Sequence, residues 1–139
     1  MTGCTEAADC VFRQNVPATW EAVEDLVERF RRCCQCQAPI EFSSELLLRE
    51  ALTNAVIHGS GGDASRRIEC VVRINRRRML LMVADQGGGF DWHNQRWGVA
   101  GPADCSGRGM EIFRRYATHI RFNTKGNVLI LRKTFEEAN

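Results

Sequence analysis

The chain has 139 residues, 44% of them apolar, and a formal charge of +2 at pH 7. That is sequence for one domain with its own core, read as a single unit over 1–139, and it excludes an intrinsically disordered chain. So small a net charge makes no electrostatic case for nucleic acid, and no apolar run approaches the ~18 residues of a membrane helix, so neither is an expected partner.

In chain order, the opening "MTGCTEAADC" lacks the basic segment and apolar core of a secretory leader, which places the protein in the cytoplasm. The seven cysteines are then expected to be mostly reduced thiols. The run Asp9–Val16 alternates weakly and is a candidate first strand. Pro17 suits a helix start. Trp20, Val23, Val27, Phe30 and Cys34 then recur every three or four residues, which predicts an amphipathic helix ending near Gln37, before Pro39. The cluster Cys33, Cys34 and Cys36 lacks CxxC spacing and a following Cys/His pair, and its thiols would diverge on a helix. A metal site there is not expected.

Ser43 or Ser44 is the expected cap of a second helix, with Glu45 in its first turn. Leu46, Leu47, Leu48, Ala51, Leu52, Ala55, Val56 and Ile57 cover most of its circumference, so it should be largely buried. Glu50, Asn54 and His58 fall at i, i+4 and i+8, one polar stripe along an apolar helix. Gly59 ends it, and "GSGGDASR" is a loop. Two strands follow, Ile68–Asn75 and Met79–Asp85, joined by Arg76-Arg77-Arg78, a charged hairpin turn. Residues 92–106 carry no clean periodicity and make a long loop of a size that is usually functional. A short helix over Gly107–Ala117 and a closing hairpin around Lys125-Gly126-Asn127 complete the order β-α-α-β-β-loop-α-β-β. This is α+β: a two-layer sandwich, a mostly antiparallel sheet with helices on one face.

Three pieces carry chemistry. Asp85 ends an apolar strand, where a carboxylate needs donors such as the exocyclic amine of adenine. Gly87, Gly88 and Gly89 after it allow backbone to pass close to a flat ring. A plain turn at the strand end is the alternative. Asn54 offers an oxygen suited to Mg²⁺, and Glu50, one turn earlier, can accept a proton from a nucleophile nearby. The alternative is a set of core polar groups satisfied by backbone. In "SGRGM", glycines opening a helix leave free N–H groups for phosphates, with Arg108 adding a cation. No Walker-type loop or "HRD…DFG" set occurs.

The ordered trio "EALTNAVIHG", "DQGGGF" and "GRGM", closed by "GNVLILRK", resembles the GHKL (Bergerat-fold) ATP-binding family of gyrase-type ATPases and histidine kinases. The "NAVIHG" wording and small size are most similar to the bacterial anti-sigma-factor serine/threonine kinases of the RsbW/SpoIIAB type. The resemblance implies ATP and Mg²⁺ as cofactors. Asn54 matches the Mg²⁺ ligand and nucleotide contact, and Glu50 the general base that deprotonates a partner's hydroxyl. Asp85 matches the acid that reads adenine N6, and Gly87 and Gly89 its glycines. Gly107, Arg108, Gly109 and Met110 fall in the box that wraps the phosphates, with residues 91–106 as an ATP lid. His58 aligns with the motif's histidine and is given a supporting role. Three positions depart from the pattern. Gly88 fills a variable site, Met110 replaces leucine, and Asn127 stands where threonine is common. Cys105, Trp92 and Trp97 in the lid have no family role.

The resemblance further implies a homodimer that sequesters a sigma factor and phosphorylates an anti-anti-sigma (STAS-domain) protein on serine or threonine. A non-catalytic nucleotide-dependent switch, or a detached histidine-kinase catalytic domain, are the other readings.

Overall fold

The alternation read from the sequence becomes a five-stranded sheet in a computed structural model that describes residues 10–34, 42–59, 65–86, 105–123 and 127–135, the side chains of 58, 59 and 105–110 excepted. Its strands are β1 (Cys10–Pro17), β2 (Arg67–Ile74), β3 (Arg78–Asp85), β4 (His119–Phe122) and β5 (Val128–Thr134). They lie in the order β1-β2-β3-β5-β4 with every neighbouring pair antiparallel. The helices are α1 (Trp20–Cys34), α2 (Phe42–Asn54) and α3 (Cys105–Tyr116). The architecture is the expected α+β one, with β5 inserted between β3 and the edge strand β4.

The register shows how two-residue periodicity makes a core. Phe12, Val72, Leu81, Leu131 and Ile120 line up as one row across all five strands. Cys70, Val83 and Leu129 form the next row on the same face, and nearly all of these side chains are buried. The intervening positions are less buried, Val11 and Leu80 among them being exposed. One face therefore carries the core, and the helices supply its other half: Val23, Leu26, Val27 and Phe30 from α1, Leu47, Leu48, Ala51 and Leu52 from α2, Phe113 from α3. Phe30 meets Phe12 edge to face with ring centroids 5.8 Å apart, a geometry that adds about 0.5–1.5 kcal/mol to the burial itself.

The helix starts differ from expectation. Pro17 is the last residue of β1 rather than the first of a helix. Thr19 is the cap: its hydroxyl accepts the Ala22 N–H at 3.1 Å and its carbonyl the Val23 N–H at 3.0 Å. A hydroxyl that collects an orphan amide fixes the boundary better than a favourable φ at proline. Trp20 consequently sits at the first helical position and is exposed, outside the apolar stripe assigned to it. Likewise α2 begins at Phe42, so Ser44 lies inside the first turn, fully buried, with no hydrogen-bond partner for its hydroxyl among the described residues. Two ion pairs, Arg31–Glu45 and Arg49–Glu24, tie α1 to α2. The arginine run is a hairpin turn as read: the Asn75 side-chain oxygen accepts the N–H groups of Arg77 at 2.7 Å and Arg78 at 2.9 Å. No helix among the described residues is long and apolar enough to cross a membrane.

Candidate functional site

The site grows from the end of α2. Glu50 and Asn54 are one turn apart and so share a face. Glu50 is half-buried and forms no hydrogen bond or ion pair with another described residue. Burial pushes its carboxyl up from the ordinary range, and the neighbouring Arg49 charge offsets only part of that. Arg49 is turned to Glu24 and Glu45 instead. Asn54 is 9% exposed and its amide nitrogen has no partner among the described residues. A buried donor left unpaired costs about 1–3 kcal/mol. Such a cost persists where an acceptor arrives with a ligand.

Directly after Asn54 the helix widens into a π turn, Ala55–Gly59. π turns are rare and concentrate at functional sites. The i→i+5 bonding changes the angular step, so the i, i+4, i+8 stripe read from the sequence is regular only through Asn54. Ile57, expected to be buried, is exposed. The side chain of His58 lies outside the described residues.

The π turn and α2 both pack on β3. Met79, Leu81 and Val83 face the helices, and two-residue periodicity puts Asp85 next in that row. The strand end is pinned from three sides. The Asp85 N–H donates to the Asn127 carbonyl at 2.9 Å, and the Asn127 amide donates back to the Asp85 carbonyl at 3.3 Å. Asn127 is itself held by Asn123, whose side-chain oxygen accepts the amides of Asn127 at 3.0 Å and Val128 at 3.1 Å. One residue on, the Gln86 side chain accepts the Arg67 N–H at 2.7 Å, and the Arg66 guanidinium donates to the Gln86 carbonyl at 3.0 Å. The end of β3 is therefore held in place as far as Gln86.

Gly107, Arg108, Gly109 and Met110 lie in the first turns of α3, which begins two residues before the expected start. The first turn, Cys105–Arg108, holds the amides that no preceding turn takes up; Gly109 and Met110 are already within the helix. Fully buried Phe113 anchors α3, and α3 packs on α2. Gly87, Gly89 and the lid residues 91–104, Trp92 and Trp97 among them, lie outside the described residues.

Sequence reasoning missed Asn123, Asn127 and the Gln86 clamp as positioning elements. The sequence marks Asn127 as part of a hairpin turn and as a departure from threonine, with no sign of its bond to Asp85. A second feature is a basic cavity of about 390 Å³, lined by Arg73, Arg78, Leu80, His119 and Arg132 among others. It opens at the N-terminal end of β3, the opposite end from Asp85, and is separate from this site.

A family model described as the histidine kinase-like ATPase domain matches residues 14–133. The match runs from β1 through β5 and takes in Glu50, Asn54, Asp85 and the glycines of α3. Comparison with curated proteins gives no match. The α+β fold with its five-stranded antiparallel sheet is thus that of a histidine kinase-like, ATP-binding ATPase domain.

Proposed function

We propose that this chain, which belongs to the histidine kinase-like ATPase domain family, is a cytoplasmic protein serine/threonine kinase of the anti-sigma type. Its substrate would be a serine or threonine on an anti-anti-sigma, STAS-domain partner, and it would bind a sigma factor as a homodimer. The observation that carries the reading is Glu50. A half-buried carboxylate raised by desolvation, one turn before a buried amide and without a structural partner among the described residues, is poised to take a proton.

The residues divide the work. Asp85 would accept the adenine N6 amine at the strand end that Asn127 and Gln86 hold still. The amides of Gly107 and Arg108 would bind phosphate oxygens at the positive end of α3, with the Arg108 guanidinium beside them. The pocket fits magnesium: Asn54 offers a hard oxygen, its orphan N–H suits a phosphate oxygen, and Mg²⁺ needs few protein ligands because it keeps waters and phosphates. Bound there, the cation supplies charge that offsets the negative charge of the triphosphate. Glu50 would then take the proton of the partner's hydroxyl as its oxygen bonds to the γ-phosphorus and ADP leaves. The rest is positioning, as in phosphoryl transfer generally.

The test is radiolabelled ATP with a purified STAS-domain protein. Acid-stable phosphoserine or phosphothreonine is the expected product. Acid-labile phosphohistidine would instead mark a detached histidine-kinase domain, and tight ATP binding without transfer a switch module. Separately, Asp85→Asn should weaken ATP binding by roughly 10- to 100-fold in calorimetry, the worth of a hydrogen bond to a charged acceptor. Unchanged affinity would remove Asp85 from the adenine pocket.

A further inference from the structure

Three cysteines meet at the junction of β1 and α1, away from the nucleotide site. Cys10 opens β1 and is buried; Cys34 closes α1 and is fully buried; Cys33 beside it is exposed. The third thiol comes from outside the local cysteine run, from Cys10, 23 residues before Cys33. Cys33 and Cys34 occupy the last turn of α1, which packs on β1, and their sulfurs converge where divergence was expected. The three sulfurs all lie within 4.8 Å of one another. The Cys10 and Cys34 thiols are in direct contact at 2.7 Å, and the Cys10 thiol donates to the Cys33 carbonyl at 3.8 Å.

We propose that Cys10, Cys33 and Cys34 form a binding site for a thiophilic divalent cation, Zn²⁺ in the first instance, with the fourth coordination position left to solvent. The dimensions fit. A tetrahedral ion with metal–sulfur bonds of about 2.3 Å needs its sulfurs about 3.8 Å apart, so the cluster closes on an ion with Cys10 and Cys34 separating by about 1 Å. The ligand type fits as well, since thiolates select zinc over the hard cations that suit Asn54. Exposed Cys33 gives the ion its way in. A disulfide between Cys10 and Cys34 would need only two sulfurs; the third, converging on them from the solvent side, is what a metal uses.

On coordination each thiol loses its proton to solvent, so uptake releases up to three protons per ion. Because each ligand gives up a proton on binding, affinity should climb with pH. The bound ion would staple the start of the edge strand β1 to the end of α1, two segments 23 to 24 residues apart.

The chain carries seven cysteines, so the test isolates these three. The full chain with Cys4, Cys36 and Cys105 changed to serine is reduced, stripped with chelator and titrated with Co²⁺ as a spectroscopic probe, then with Zn²⁺ in competition. Cys70 stays as a buried core residue. The expected result is one equivalent of Co²⁺ with a thiolate charge-transfer band, displaced by Zn²⁺, with proton release seen by a pH indicator. Cys33→Ser in that background should lower affinity at least about 100-fold, beyond what a supporting contact contributes. Because Cys33 is exposed, its melting transition without metal should be unchanged. Absence of the band in the reduced triple variant would overturn the proposal. So would unchanged affinity in Cys33→Ser, or a Cys10–Cys34 disulfide on mild oxidation without metal uptake by the reduced chain.

Discussion

Glu50→Gln should lower phosphoryl transfer to a partner hydroxyl by about 10²–10⁴-fold, the range for loss of a positioned general base, while leaving ATP affinity nearly unchanged. The same substitution should raise the melting temperature at pH 7. Burial raises the carboxyl of Glu50 in the folded protein. A raised acid contributes stability that is fully present below its unfolded pKa and lost as pH rises through the folded one. At neutral pH the ionised side chain thus works against the fold, and glutamine removes that charge without removing volume. The stability gain should shrink as pH falls through the raised pKa and vanish below about 4, where glutamate is neutral in both states. Wild-type transfer should in turn decline on acidification through the raised pKa. Two measurements check this, single-turnover transfer against pH and thermal melts against pH. A variant that loses ATP binding together with transfer, or that melts lower at pH 7, would show Glu50 to be structural.

Lost activity coupled to gained stability is the outcome expected of a polar group held at a functional site, and the same reasoning marks which features could be read from sequence. Periodicity revealed what packing dictates. Met79, Leu81 and Val83 alternate because one face of β3 is buried, and Val23, Val27 and Phe30 recur because one side of α1 is. The arginine turn followed from its place between two apolar strands. What periodicity cannot carry is a boundary set by a single hydrogen bond, which is why Pro17 and Ser44 were misplaced and Thr19 overlooked. Nor does it carry a change of helical step: "NAVIHG" continues an α-helical pattern on paper, yet the chain widens after Asn54. Long-range partners were equally hidden. Asn127 meets Asp85 across 42 residues, and Cys10 meets Cys34 across 24, with nothing local to announce either pairing. Glu50, Asn54 and Asp85 were legible for the opposite reason: each is a polar residue where the surrounding pattern calls for an apolar one, and such violations gather at functional sites.

Asn54→Leu should sharpen that last point. Leucine keeps the branched four-atom shape of asparagine, though its methyls are bulkier, suits a helix, and removes a buried amide nitrogen that has no partner among the described residues. The fold should gain about 1–3 kcal/mol, the cost of that unsatisfied donor, seen as a higher denaturant midpoint at unchanged slope. ATP affinity in the wild-type protein should depend on Mg²⁺, measured by titration with the cation and with chelator. In Asn54→Leu the two titrations should coincide, and transfer should drop on the order of 10³-fold, since a metal's charge stabilisation contributes several kcal/mol. Asn54→Asp keeps an oxygen for the cation and should retain part of the magnesium dependence, which separates loss of a ligand from loss of shape. Stability that falls in Asn54→Leu would mean the amide is satisfied by contacts within the fold. A persistent magnesium dependence would place the cation on other residues, leaving Glu50 as the only member of α2 with a chemical role.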